Sequence, residues 1–322
     1  TTDFAGYDPT LGVGAIGYGG FRGYDVTFAS GNITQFINNA TPTTTNLTAA
    51  TTTTSALRLG GVSLNDITFS SGSNTLVLES GGLLRSNQAA GSNIGTTATR
   101  GVLTAGTGSA AELVIYSAAA GTAAANTTAT TATGSPIITN LTSITGLAPG
   151  QTLTNGNFPA GTYIVSIDSP TQITVSQNAT ANGTATKTLT TGRDNVVVNS
   201  VIADNGSGVV TLVKSGAGVL NLSANNTYTG GSIFNQGTVN LIGTGTVIPA
   251  GGVTLNGATL ALNTNGGQIA ASNAVTLNDS STLTLVGNNT LNSLIFNSAS
   301  GRPPKHWILR ANDHANRFIT PW

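Results

Sequence analysis

The chain of 322 residues has no cysteine and no methionine, and only 7% of it is charged and 5% aromatic. Without cysteine there is no disulfide and no thiolate metal site, a usage that suits a bacterial surface protein kept unfolded during export. The 11 Lys and Arg balance the 11 Asp and Glu. That leaves no basic field to gather phosphates, which argues against a nucleic-acid partner. No apolar run approaches the roughly 18 to 20 residues that cross a bilayer as a helix, so no transmembrane segment is expected. The missing Met at position 1 points to a processed end or a fragment, with any signal peptide already removed. What is present is 42 Gly and 39% hydrophobic residues, with Thr, Asn, Ser and Ala filling most of the rest. Low charge with many β-branched residues disfavours both disorder by self-repulsion and a helical bundle.

A period runs through the text. From residue 220 onward, apolar pairs separated by one residue recur: Leu220/Leu222, Val239/Leu241, Val253/Leu255, Leu260/Leu262, Val275/Leu277 and Leu283/Leu285. Their second members repeat after about 22 residues, as from Leu255 to Leu277 or from Leu262 to Leu285. Alternation places both members of a pair on one face of a short strand. Gly and Asn between pairs accept the left-handed backbone of tight corners. Two or three short strands per period, stacked coil on coil at about 4.8 Å, make a β-solenoid. Residues 57–87 obey the same grammar, with Leu57/Leu59, Val62/Leu64, Ile67/Phe69 and Leu76/Leu78. A β-sandwich is the structural alternative, and its strands should be longer, with turns every 8 to 12 residues or so.

One stretch carries more than a period. Leu212, Lys214, Gly216, Gly218, Leu220, Leu222, Ser223, Asn226, Thr227, Tyr228, Thr229, Gly230 and Gly231 spell L-x-K-x-G-x-G-x-L-x-L-S-x-x-N-T-Y-T-G-G. Residues 195–241 thereby resemble the autotransporter-associated β-strand repeat of bacterial surface proteins. The resemblance implies a right-handed β-helix carried outside the cell, and implies no chemistry. The chain departs from the autotransporter pattern in showing no membrane barrel at its C-terminal end.

Four segments break the period. Residues 122–191 have Thr/Ala-rich flanks around a centre that reads as a compact β-module, with strands near 152–154, 163–167 and 172–176 and turns at "FPAG" and "DSPT". Inserted in one coil, such a module serves recognition or is a plain spacer. Residues 1–31 interleave Gly with Phe4, Tyr7, Tyr18, Phe21, Tyr24 and Phe28. These aromatics cap the first coil or dock another copy through its edge. Residues 41–55 read as a flexible or surface-hugging Thr-rich connection. The tail, 301–322, holds both His, both Trp (Trp307 and Trp322) and a net +3, against −3 for the remainder. It is either an anchor or a foreign extension.

Chemistry finds little support. Polysaccharide-cleaving β-helices need clustered carboxylates, or a calcium site, with a base. Here Asp66, Glu79, Glu112, Asp168, Asp194, Asp204 and Asp279 are dispersed, and only Asp3, Asp8 and Asp25 share a segment. A Ser-His-Asp triad would have to recruit His306 or His314 from the tail. No cofactor or metal motif occurs. Flat Thr arrays for ice are disfavoured, because the repeated Val-Thr-Leu gives one outward Thr per strand.

The expectation is an all-β, right-handed β-solenoid with a small inserted β-module. The parts are a cap or docking segment at 1–56, a first solenoid part at 57–121, the module at 122–191, a second solenoid part at 192–300 and the basic aromatic tail. The repeat core is Leu212 with the six pairs above. The expected function is a non-catalytic structural protein outside the cell or on a bacterial surface, joining copies of itself into a homo-oligomer, fibre or layer. The alternatives are an adhesin stalk whose module meets a surface glycan and, more remotely, a polysaccharide-degrading β-helix.

Overall fold

The computed structural model describes residues 4–8, 10–16, 23–38, 43–61, 65–85, 92–118, 125–126, 129–142, 144, 157–159, 162, 164–175, 177–184, 187–188, 195–263, 265–297 and 308–309. These form strands, turns and bends, with no helix among the described residues. The chain winds as a β-solenoid whose coils have three sides.

Face 1 stacks Ile33–Asn38, the second half of Thr51–Gly61, the end of Thr75–Arg85, Ala111–Ser117, Val210–Ser215, Ser232–Phe234, Val253–Asn256, Ala274–Asn278 and Ser293–Asn297. Face 2 stacks nine further strands, from Thr43–Leu47 through Val219–Leu222, Thr238–Leu241, Thr259–Leu262 and Thr282–Leu285 to Ile308–Leu309. All these ladders are parallel, as a solenoid requires. On face 2 Val219 lies opposite Thr238, Thr238 opposite Thr259 and Thr259 opposite Thr282, so successive coils take 19, 21 and 23 residues.

Register lines the pairs into columns. Leu220, Val239, Leu260 and Leu283 stand one above the other on face 2, with Leu222, Leu241, Leu262 and Leu285 beside them. All are buried except Leu285, which packs half-buried against the same interior. Leu212, Val253, Leu255, Val275 and Leu277 line face 1 and are buried too. Each such Leu or Val contributes about 1.5–3 kcal/mol relative to exposure.

The corner from face 1 to face 2 is a left-handed residue in coil after coil: Gly216 (φ 75°), Gly237 (φ 76°), Gly257 (φ 72°), then Asp279 (φ 53°). Gly237 is constrained twice, because a Cβ there would sit 2.3 Å from the Gly218 carbonyl oxygen of the coil before.

Face 3 changes along the rod. It begins as strands, with Thr51–Thr54 beside Thr75–Leu78, then Val102–Ala105 and Val201–Ile202. Farther on, the strands shrink to scattered backbone bonds, such as Thr227 N to the Ile202 carbonyl and the Ile248–Ile269 bridge, and side chains add to them. Asn226 Oδ1 accepts from the Ile202 amide and its Nδ2 donates to the Val247 carbonyl, both at 2.8 Å, so one residue joins three coils. Gln268 Nε2 donates to the carbonyls of Leu241 and Gly243.

The N-terminal side differs from the expected connection at 41–55. Its described residues are built into strands, Thr43–Leu47 and the start of Thr51–Gly61. Thr is β-branched and fits a pleated sheet. Inward-pointing Thr54 is satisfied by the Thr34 hydroxyl at 2.7 Å and the Asn32 carbonyl at 2.8 Å.

Between Ala111–Ser117 on face 1 and Asn195–Val198 on face 2 the chain leaves the rod, so that Ala111 and its ladder partner Val210 lie 99 residues apart. A two-residue antiparallel ladder, Ala125–Asn126 with Lys187–Thr188, brings the excursion's ends together. Beyond it lies a five-stranded antiparallel sheet: Ile164–Ser169, Gln172–Val175, Ile137–Thr139, Thr130–Thr131 and Gly183–Thr184. It has its own small core of Ala129, Ile138, Leu141, Phe158, Ile173, Val175 and Ala179. Residues 152–154 lie outside the described residues.

Candidate assembly surfaces and the Lys214 corner

Alternation along Val210–Ser215 turns Val210, Leu212 and Lys214 inward, and all three are fully buried. Lys214 therefore occupies an interior column with Ile115 before it and Phe234, Leu255, Leu277 and Phe296 after it. Its ammonium curls onto the corner and donates to the carbonyls of Ser215 and Gly216, each at 2.6 Å, and of Gln236 at 3.3 Å. Burial pushes the amine down to about 7. Three carbonyl oxygens converging on a tight turn need a donor, and Lys214 supplies it while tying one coil to the next. Sealed from solvent, it meets no substrate. Nearby, the Tyr228 hydroxyl is buried 2.6 Å from Ser232 Oγ, and burial pushes its phenol up.

Outside the same corner runs a stack of amides. Asn297 Nδ2 donates to Asn278 Oδ1, Asn278 to Asn256 and Asn256 to Asn235, at 3.0, 2.6 and 2.7 Å. On face 2, Asn240 donates to Asn221 in the same way. Each amide keeps hydrogen-bonding capacity toward water, so these edges are neutral, polar and ordered.

The acids serve as structural acceptors. Asp66 takes the amide and Nδ2 of Asn93. Glu79 takes the Ser30 hydroxyl and the Gly31 amide, which hold it below the ordinary carboxylate range. Asp168 takes Gln172 and Thr174. Burial alone would raise Asp204, but the Thr229 hydroxyl and the amides of Val210 and Thr229 hold it down. No three His, Cys, Asp or Glu gather closely enough to hold a metal among the described residues. Asp194, His306 and His314 lie outside those residues.

Of the aromatics singled out at the chain ends, the Phe28 ring lies tilted against Phe36 at 5.3 Å, and both pack half-buried against the interior. Thr34 of that coil is bridged by Asp25. The Tyr24 ring lies 5.1 Å over the Arg58 guanidinium, and Phe4 lies across Gly82 on the outside of face 1. Tyr18, Phe21, Trp307, Trp322 and the side chain of Tyr7 lie outside the described residues.

With this geometry in view, residues 212–241 match a known family model. The family is the passenger-associated-transport-repeat. No curated protein and no solved structure matches the chain. The matched passenger-associated-transport repeat runs from the inward Leu212 through the Lys214 corner and Tyr228 to Leu241, covering one full coil and the start of another. Repeat and solenoid together fit the β-helix of an autotransporter passenger, a structural domain carried outside the cell or on its surface. No described helix is long and apolar enough to cross a membrane.

Sequence reasoning aligned Lys214 with the repeat but gave it no role. The signal was there, since it stands two residues after inward Leu212 and alternation sends it inward. The amide stack was legible as well, because Asn follows the last inward residue in "IFN", "TLN", "TLN" and "IFN" at 235, 256, 278 and 297.

Proposed function

We propose that this chain is a non-catalytic, passenger-type structural rod displayed on a bacterial surface, where copies join into a fibre or layer. The observation that carries the reading is the unbroken register of aliphatic columns through the transport repeat and its neighbours. A rod held by apolar stacking and backbone ladders needs no charge or ligand, and it presents long neutral edges to other copies.

Negative-stain microscopy of the purified chain over a concentration series tests this. Filaments or sheets are expected. Isolated rods at every concentration would contradict self-association and turn attention to a second reading, an adhesin whose inserted sheet meets a surface glycan. That reading is favoured by the module's separate core and stem. It is tested on a glycan array by comparing the full chain with one whose residues 119–194 are replaced by a short Gly/Ser link.

A further inference from the structure

The excursion at residues 119–194 divides the rod into two stretches of chain that meet across one coil boundary. All three faces cross that boundary in parallel register. Ala111–Ser117 lies beside Val210–Ser215 on face 1, Ser92–Ile94 beside Asn195–Val198 on face 2, and Val102–Ala105 beside Val201–Ile202 on face 3. Inside, Leu113 stands on Leu212, Ile94 on Val198 and Leu103 on Ile202, every one of them buried in the common interior.

The corners close as tightly as the faces. A Cβ at Gly95 would sit 2.7 Å from Ser200 Oγ, one at Gly208 2.4 Å from the Ser109 carbonyl oxygen, and one at Gly216 2.3 Å from that of Ser117. In each case the glycine lies on one side of the boundary and its neighbour on the other, so no side chain holds the coils apart. Polar groups then cross in both directions. Arg100 Nη1 donates to the Asn199 carbonyl at 2.9 Å and to Ser223 Oγ at 3.0 Å, and Thr104 Oγ1 donates to the Ala203 carbonyl at 2.8 Å. From the other side, Asn199 Nδ2 donates to the Gly95 carbonyl, Ser200 Oγ to that of Ile94 and Asn205 Nδ2 to that of Gly106.

We infer that this boundary is a self-sufficient joint: the surface built by Ser92–Ile94, Val102–Ala105 and Ala111–Ser117 takes as its partner the chain's own second solenoid part, and holds it after the covalent link through the module is cut. Every contact named above belongs to residues up to 118 or from 195 onward, and the module draws its core from its own side chains. What the link supplies to the rod is therefore proximity. Shared apolar columns and three parallel ladders supply the attraction. Arg100 is the clasp, because one charge-assisted donor ties its own stretch to two successive coils of the other. The consequence is a rod whose module can be cleaved or exchanged while the column stays whole. This goes beyond the reading as a rod and does not use self-association.

The full chain with protease recognition sequences in place of residues 119–124 and 189–194 tests the joint. Cleavage is confirmed on a denaturing gel, and if the folded chain resists, the protease is added during refolding from urea. Analytical ultracentrifugation of the cut protein should find the two rod stretches in one particle. Dilution of that particle measures the affinity of the joint, which Arg100→Ala should weaken by about tenfold or more. Far-UV circular dichroism of the uncut variant checks its fold, and Thr104→Val, expected to weaken the joint by about threefold, serves should Arg100→Ala not fold. Stretches that separate or precipitate on cleavage overturn the joint. A cut variant that holds as tightly as its parent overturns the clasp.

Discussion

Lys214 stands directly before Phe234 in one inward column, a cation where the later coils carry an aromatic or aliphatic side chain. The substitution is tolerated because its Nζ reaches past the column to three corner carbonyls.

A titrating core follows from that placement. The amine sits at about 7 in the fold against an ordinary 10.5, so between these values the unfolded chain binds more protons than the folded one. Stability then rises with pH across that window and is flat with respect to this group below it. Urea midpoints measured from pH 6 to pH 10 should climb for the wild type. Lys214→Met should remove the climb attributable to this residue, and an unchanged slope in the variant would place the titration elsewhere.

The columns set a second expectation. Leu260 lies between Val239 and Leu283. Leu260→Ala should cost about 2–5 kcal/mol in chemical denaturation, while Ala261→Ser, pointing outward from the same strand, should stay within about 0.5 kcal/mol. Equal costs would mean that the alternation of this strand is misassigned.

Glycine corners divide by their neighbours. Gly237 and Gly267 share φ of 76°, but a Cβ at Gly267 meets nothing within 4 Å, whereas at Gly237 it strikes a carbonyl oxygen. Gly267→Ala should lose about 1–2 kcal/mol from backbone strain alone. Gly237→Ala should lose clearly more. Matching melting temperatures for the two variants would argue against close coil stacking at the 237 corner.

Much of this was readable before any fold was known, for a physical reason. Alternation is enforced wherever one side of a strand faces a dry interior and the other faces water, so Leu220/Leu222 and Val275/Leu277 announced faces 1 and 2. Face 3 was silent because its later coils shrink to single bridges such as Ile248–Ile269, supported by Asn226 and Gln268 bonding to backbone groups one coil away, and leave no alternating apolar pair. The strands in 43–54 were hidden because Thr reads equally as linker and as sheet. The ladders that Thr43–Leu47 makes with Asn65–Phe69 and Thr51–Thr54 with Thr75–Leu78 decide between them. Phe4 and Phe28 looked alike in sequence, yet one lies outside face 1 and the other packs against the interior, a distinction set by chain path. Of the candidate surfaces, the amide stack left a clear periodic trace.

That amide stack should show coupling. Asn256 and Asn278 are joined at 2.6 Å, and each also bonds an outer neighbour. Each Asn→Ala change should cost about 1–2 kcal/mol. A double-mutant cycle should return a coupling of about 0.5 kcal/mol or more, and strict additivity would show that the amides bond water instead.

The absence of cysteine permits the most direct test of coil stacking. Thr254 and Thr276 are outward ladder partners on adjacent coils, 22 residues apart, with the spacing of about 4.8 Å that a disulfide bridges. Thr254→Cys combined with Thr276→Cys should oxidise in air to a monomeric disulfide, seen as a mobility shift on a non-reducing gel. Thr254→Cys with Thr282→Cys, which places the second thiol on face 2, should not. Ready closure of the second pair and failure of the first would contradict the parallel solenoid.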